Sequence, residues 1–196
     1  VFLFSFFIFL NIVIDQLYAN TDKVISGALC SSAAVSTYTV GVQFSSYFEQ
    51  FSTSISGVFL PKITKLVTLN ESMQEVSALF IRIGRIQFIL LGFLMSGFVV
   101  FGQQFITLWL GPEWKMAYYI ALVVIIPALI PLSQNLGISV LRAMNMHKFR
   151  SIIYLFIALA NVVLSIPLAM RFGGLGAACA TGLATCCGQI LTMNWF

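Results

Sequence analysis

Apolar residues fill this chain in stretches of about twenty, and where polar residues interrupt the first two stretches they return every three or four positions. In the first the polar set is Asn11, Asp15, Tyr18 and Asp22; in the second it is Thr39, Gln43, Ser46, Gln50 and Ser54. At about 100° per residue each set falls within a narrow arc, so each predicted helix presents one wet face. Hydrocarbon cannot satisfy such a face, whereas an aqueous cavity can.

Six stretches are long enough to cross a bilayer, a task that takes about 20 helical residues. They lie at roughly residues 1–22, 33–60, 80–102, 116–141, 149–170 and 174–196. Their length and three-to-four periodicity exclude the short alternating segments of a membrane barrel. The predicted fold class is therefore all-α, a polytopic transmembrane bundle of six spans forming one domain over residues 1–196. Composition agrees: hydrophobic residues are 60% of the chain and charged ones 8%, a balance foreign to soluble domains.

The formal charge of +4 does not imply a nucleic-acid partner, because the basic residues are scattered between apolar runs. They instead predict orientation. Lys62, Lys65, Arg82, Arg85, Arg142, Lys148 and Arg150 fall on one side of the six spans, and only Lys23, Lys115 and Arg171 on the other. The positive-inside rule makes the first side cytoplasmic, which places both chain ends there too. Val1 is not an initiator and the last apolar stretch runs to Phe196, so the chain reads as a fragment of a larger multi-pass protein.

Residues 61–80 form the longest polar interval, opening on Pro61 and mixing Asn70, Glu71 and Glu75 with apolar residues. This cytoplasmic connection could be a short amphipathic helix, or simply the third span beginning in water with Asn70 or Ser72 as its cap. Pro127 and Pro131, followed by Ser133, Gln134, Asn135 and Gly137, predict a kinked or discontinuous fourth span that moves or lines a cavity. Trp109, Trp114, Tyr118 and Tyr119 flank the external connection as an interfacial aromatic belt. Cys30, Cys179, Cys186 and Cys187 lack metal-site spacing and read as small packing residues; no metal or cofactor is implied.

The run NIVIDQLYANTDKVISGALCSSAAVSTYTVG, the external LWLGPEW and the stretch LRAMNMHKFRSIIYLFIALANVVLSIPLAMRFGGLGAACAT resemble the polysaccharide and O-antigen flippases of the multidrug/oligosaccharidyl-lipid/polysaccharide exporter superfamily. Their order and spacing resemble the second six-helix bundle of that family, across essentially the whole chain. The resemblance implies half of a pseudo-symmetric two-bundle transporter, partnered by a first six-helix bundle of the same protein. It also implies alternating-access export of an undecaprenyl-diphosphate-linked oligosaccharide across the bacterial inner membrane.

Candidate residues follow from burial cost. Asp15, deep in the first span, should face a cavity or a partner, as a substrate contact, a cation-coupling group or a structural pair. Asp22 lies nearer the external interface. Glu49 sits on the shoulder of the second stripe with Ser45, Ser52 and Ser56, where it could couple transport or pair structurally. Arg82 and Arg85 at the cytoplasmic mouth are candidates for diphosphate contact, or anchors that snorkel to lipid headgroups. Asn135 and Asn161 are candidate cavity residues, while the Gly, Ala and Thr of the last span suit close helix packing.

Three carriers compete: the flippase, a drug/cation antiporter of the same superfamily, and a peptidoglycan-precursor flippase. An enzyme is disfavoured, because no paired carboxylates, nucleophile with a base, or large loop domain is visible.

Overall fold

The computed structural model describes Phe9 and residues 32–68, 73–137 and 147–190. Among them there is no strand. Helix α1 spans Ser32–Thr68 and α2 spans Met73–Leu110. A single 3-10 turn, Pro112–Trp114, leads into α3, Lys115–Ser133. Then come α4, His147–Phe172, and α5, Gly174–Ala184, which runs on into a π-helical turn over Thr185–Ile190.

These helices coincide with five of the six apolar stretches, but α1 and α2 are much longer than a bilayer requires. At about 1.5 Å per residue, 38 residues extend about 57 Å against a hydrocarbon core of about 30 Å. Residues 61–68 continue α1 through Pro61, and residues 73–80 open α2. Two segments of the described residues, Gln74–Leu110 and Pro112–Ser133, are long and apolar enough to cross a membrane; the apolar parts Ile157–Phe172 and Gly174–Gly188 are shorter.

Helix α3 is central and packs on α1, α2 and α5. Two adjacent rows at i, i+4 spacing explain how it serves several neighbours. Ile120 and Val124 join Tyr38, Ala169, Ala177 and Ala178 in one core cluster, while Ala121 and Ile125 join Phe48, Leu91 and Met95 in another. A third cluster, Ile63, Ile83 and Leu136, closes the end near the α1–α2 connection. The opposite distribution holds outside: Val58 and Phe93 are each 75% exposed and Leu108 is 88% exposed, a pattern that suits lipid and not water.

Helices α4 and α5 form a hairpin joined by one residue. Gly173 takes φ +61°, a left-handed conformation that disfavours a side chain, and so reverses the chain. Beyond it, a Cβ on Gly176 would fall 2.0 Å from the Leu168 carbonyl oxygen, so only glycine lets the hairpin close.

The two prolines of α3 do not interrupt it. The helix passes through Pro127 and Pro131 and breaks at Gln134, whose N–H is shared between the Ile130 and Pro131 carbonyls at 3.2 Å each. Because the prolines are four residues apart, their missing N–H groups lie on one helix face, leaving the Val123 carbonyl without its helical donor. Gly182 of α5 covers that carbonyl: a Cβ there would sit 2.9 Å from the Val123 oxygen.

Candidate functional site

Helix α1 has two polar faces, and packing separates them. Ser52 and Ser56 are buried on the same side as Tyr38, Phe48 and Ile63. The main stripe turns away from that side: Gln43, Gln50 and Ser54 are exposed, and Thr39 and Ser46 are half-buried. The two half-buried hydroxyls donate within their own helix, Thr39 to the Val35 carbonyl at 2.8 Å and Ser46 to that of Val42 at 3.3 Å. The exposed amides of Gln43 and Gln50 thus form a hydrogen-bonding surface that the packing of α1 on its described neighbours does not consume.

The shoulder that sequence assigned to Ser45, Glu49, Ser52 and Ser56 is divided. Ser52 and Ser56 face inward, Ser45 is half-buried and Glu49 is exposed.

The inward part meets a third polar residue, Gln87 of α2, which is fully buried. Its Nε2 donates to the Ser52 carbonyl at 2.9 Å and to the Ser56 hydroxyl at 2.8 Å. Ser52 Oγ donates to the Leu132 carbonyl, one of those that the break at Gln134 leaves near a helix end. Asn135 Nδ2 donates to the same Ser52 hydroxyl at 3.2 Å. Four side chains from three segments, together with the Leu132 carbonyl, therefore fasten the break in α3 to the α1–α2 pair. Gln87 Oε1 is buried without a hydrogen-bond partner, and the carbonyl opposite Nε2 fixes the amide orientation, because only the nitrogen can donate to it.

Gln87 is the residue that sequence reasoning missed. The signal was present: Ile83, Gln87, Leu91 and Met95 follow one another at four-residue spacing, and all are buried. An amide within such a row must find a partner on a neighbouring helix. Asn135 was a predicted cavity residue, and the structure places it half-buried at this junction.

The other predicted residues are dispersed. Asn161 is buried on α4, where its Oδ1 accepts from Ser165 Oγ at 3.2 Å. Thr181 and Thr185 donate to the Ala177 and Thr181 carbonyls of their own turns. Arg82 and Arg85 are exposed on the first third of α2. Asn11, Asp15, Tyr18 and Asp22 lie outside the described residues. In the aromatic belt, Trp109 and Tyr119 are exposed, whereas Tyr118 is turned into the protein. It is buried and donates its hydroxyl to the Val99 carbonyl of α2 at 2.8 Å. Its position one turn into α3, facing α2, made it a pin between helices. Cys179, Cys186 and Cys187 are free thiols, and no metal-binding cluster occurs among the described residues.

Comparison with known proteins adds the family. No curated protein and no solved structure matches the chain. A family model described as polysaccharide biosynthesis protein matches residues 1–119, which is more than half of the chain and includes α1 and α2. Two of the three segments that carried the resemblance, the run from Asn11 and the external LWLGPEW, lie inside that match. With an all-helical architecture and helices suited to a membrane, the chain belongs to the polysaccharide biosynthesis protein family.

Proposed function

We propose that this chain is one bundle of a carrier that moves an undecaprenyl-diphosphate-linked oligosaccharide across the bacterial inner membrane by alternating access, supplying O-antigen or another surface polysaccharide. The observation that carries this reading is the outward stripe on α1. Gln43, Gln50 and Ser54 are exposed on a helix otherwise flanked by lipid-suited residues such as Tyr47, Phe51 and Val58. Exposed amides in hydrocarbon cost free energy, whereas facing an aqueous cavity they offer the donors and acceptors that sugar hydroxyls require. Asp15 and the rest of the first stripe belong to the same cavity in this reading, with the partner bundle on its far side.

The test is replacement of Gln43 and Gln50 by Leu in the full-length protein, introduced into cells lacking their own copy. Surface polysaccharide display should fall at least tenfold with the protein level unchanged. Undiminished display at normal protein level would remove the stripe from the transport path.

Glu49 favours a second reading. It is an exposed carboxylate near the middle of α1, where a drug/cation antiporter would place a group that attracts a cation. The neutral character of the main stripe beside it favours the sugar carrier.

A further inference from the structure

Two layers of different character stack at the end of the bundle that carries the α1–α2 connection. The polar layer joins Ser52 and Ser56 of α1 to Gln87 of α2 and to the Leu132 carbonyl of α3. The apolar layer joins Ile63, Ile83 and Leu136, with Phe59, Leu79 and Phe80 packed against them. From the first layer to the second, residue numbers rise on α1 and fall on α2, so these two helices run antiparallel.

Each of the three segments is weakened between the layers. On α1, Pro61 has no N–H and leaves the Gly57 carbonyl without its helical donor, while a Cβ on Gly57 would meet nothing within 4 Å. On α3, Gln134 interrupts the helix between Leu132 and Leu136, and residues 135–137 are helical again. On α2, Gly84 follows Ile83 on the way to Gln87, and a Cβ there would come 3.3 Å from the Ser133 carbonyl oxygen. The three weak points share one level.

The contacts on either side suit a tilt at that level. Hydrogen bonds are directional and fix the polar layer, whereas apolar contacts are not and keep their burial through a small rotation. Beyond the plane a Cβ on Gly137 would lie 3.1 Å from the Phe80 ring, so the resumed helix is seated on α2. Asn135 Nδ2 reaches back across the plane to Ser52 Oγ at 3.2 Å. Lys62, Lys65, Glu75 and Arg82 lie beyond the plane and are exposed, so a tilt there draws none of these charges through hydrocarbon.

We propose that residues 61–68 of α1, 73–83 of α2 and 135–137 pivot as one cap about Gly57–Pro61, Gly84 and Gln134, with the Asn135–Ser52 bond as the latch. The hinge rests on the carrier reading for its use, which is to open and close one mouth of the cavity, and not for its existence.

The size of the motion follows from the length of the arm. Glu75 is nine residues from Gly84, about 14 Å along α2, so a bend of about 20°, where curvature becomes a kink, moves it by about 5 Å.

The test measures spin-label distances in the full-length protein, freed of its own cysteines and held in phosphatidylcholine nanodiscs. Glu75 labelled with Val163 of α4, and with Leu183 of α5, should give two distances about 5 Å apart in at least one of the pairs; all three positions are exposed. Glu75 with Lys65, both in the cap, and Phe93 with Val163, both outside it, should each give one. Asn135→Ala should raise the second cap population about threefold or more. Gly57→Ala with Pro61→Ala, at two exposed positions, should lower it by a similar factor. Pro127→Ala lies outside the plane and should leave it unchanged. A single cap distance in both the parent and Asn135→Ala, two Glu75–Lys65 distances, indifference to the Gly57 and Pro61 changes, or an equal shift from Pro127→Ala would each overturn the hinge. Two cap positions that follow these expectations in a protein that exports no polysaccharide would instead overturn the carrier reading and leave the hinge standing.

Discussion

Gln87 of α2 reaches across to Ser56 of α1, donating to its hydroxyl at 2.8 Å, and the same nitrogen donates to the Ser52 carbonyl at 2.9 Å. The contact ties two long antiparallel helices together at the level where α3 breaks. A hydrogen bond between membrane helices contributes about 0.6 kcal/mol on average, and up to about 1.7 kcal/mol. Gln87→Ala removes both bonds and the unpartnered Oε1, which offset one another, and leaves a cavity, so it should lower the stability of the detergent-solubilised protein by about 2 kcal/mol, mostly through the cavity. A double-mutant cycle with Ser56→Ala, followed by thermal unfolding, should return a coupling of about 0.5–1.5 kcal/mol. Strict additivity would mean that the bond does no net stabilising.

Gln87→Met separates the two halves of that amide. Methionine fills nearly the same volume and removes both the donor and the buried, unpartnered Oε1. An unsatisfied buried acceptor costs about 1–3 kcal/mol, comparable with the two bonds lost. The expected change in stability is therefore within about 1 kcal/mol of zero, well short of the Ala variant. A loss as large as that of Gln87→Ala would show that Oε1 is satisfied in the folded protein.

Much of this arrangement was legible in the chain. Apolar runs place the helices because a bilayer-length helix needs an uninterrupted stretch, and five runs coincide with described helices. Helix ends were less legible: α1 continues through Pro61 to Thr68, although the proline removes a helical hydrogen bond there. The inner and outer polar rows of α1 differ only in what packs on them. Periodicity finds both rows, but only the positions of Gln87 and the Leu132 carbonyl decide that Ser52 faces inward.

Tyr118 and Tyr119 are adjacent in sequence and opposite in role. Tyr118 is buried and donates to the Val99 carbonyl, whereas Tyr119 is 47% exposed. Tyr118→Phe should cost about 0.5–1.5 kcal/mol and lower the thermal midpoint. Tyr119→Phe should leave it unchanged within about 0.5 kcal/mol. Equal effects from the two would contradict the assignment of Tyr118 as the pin between α3 and α2.

Gly182 lies against the Val123 carbonyl, which Pro127 deprives of its helical donor. A side chain at this position must push α5 away from α3, because the obstructing atom is backbone and cannot rotate aside. Gly182→Leu should destabilise by about 1–3 kcal/mol or more and reduce the amount of folded protein recovered from membranes. Gly57→Leu, at an exposed position where a Cβ meets nothing within 4 Å, is the control and should be tolerated. Recovery of both variants at the same level would mean that α5 does not approach α3 this closely.

Glu49 decides between the two carriers. It is exposed and glutamine has nearly its size, so Glu49→Gln should change stability by less than about 1 kcal/mol. An uncharged sugar bound by the amides of Gln43 and Gln50 does not need the carboxylate charge, and the variant keeps one acceptor oxygen and gains an amide donor. Surface polysaccharide display should therefore stay within about threefold of the parent. A cation antiporter would lose its attraction for the cation with that charge, and transport would fall at least tenfold with no change in protein level. Display and drug sensitivity, measured side by side in cells carrying Glu49→Gln, separate the outcomes: loss of drug resistance with normal display assigns the acid to an antiporter, and normal values of both leave the sugar carrier as the reading in which Glu49 is dispensable.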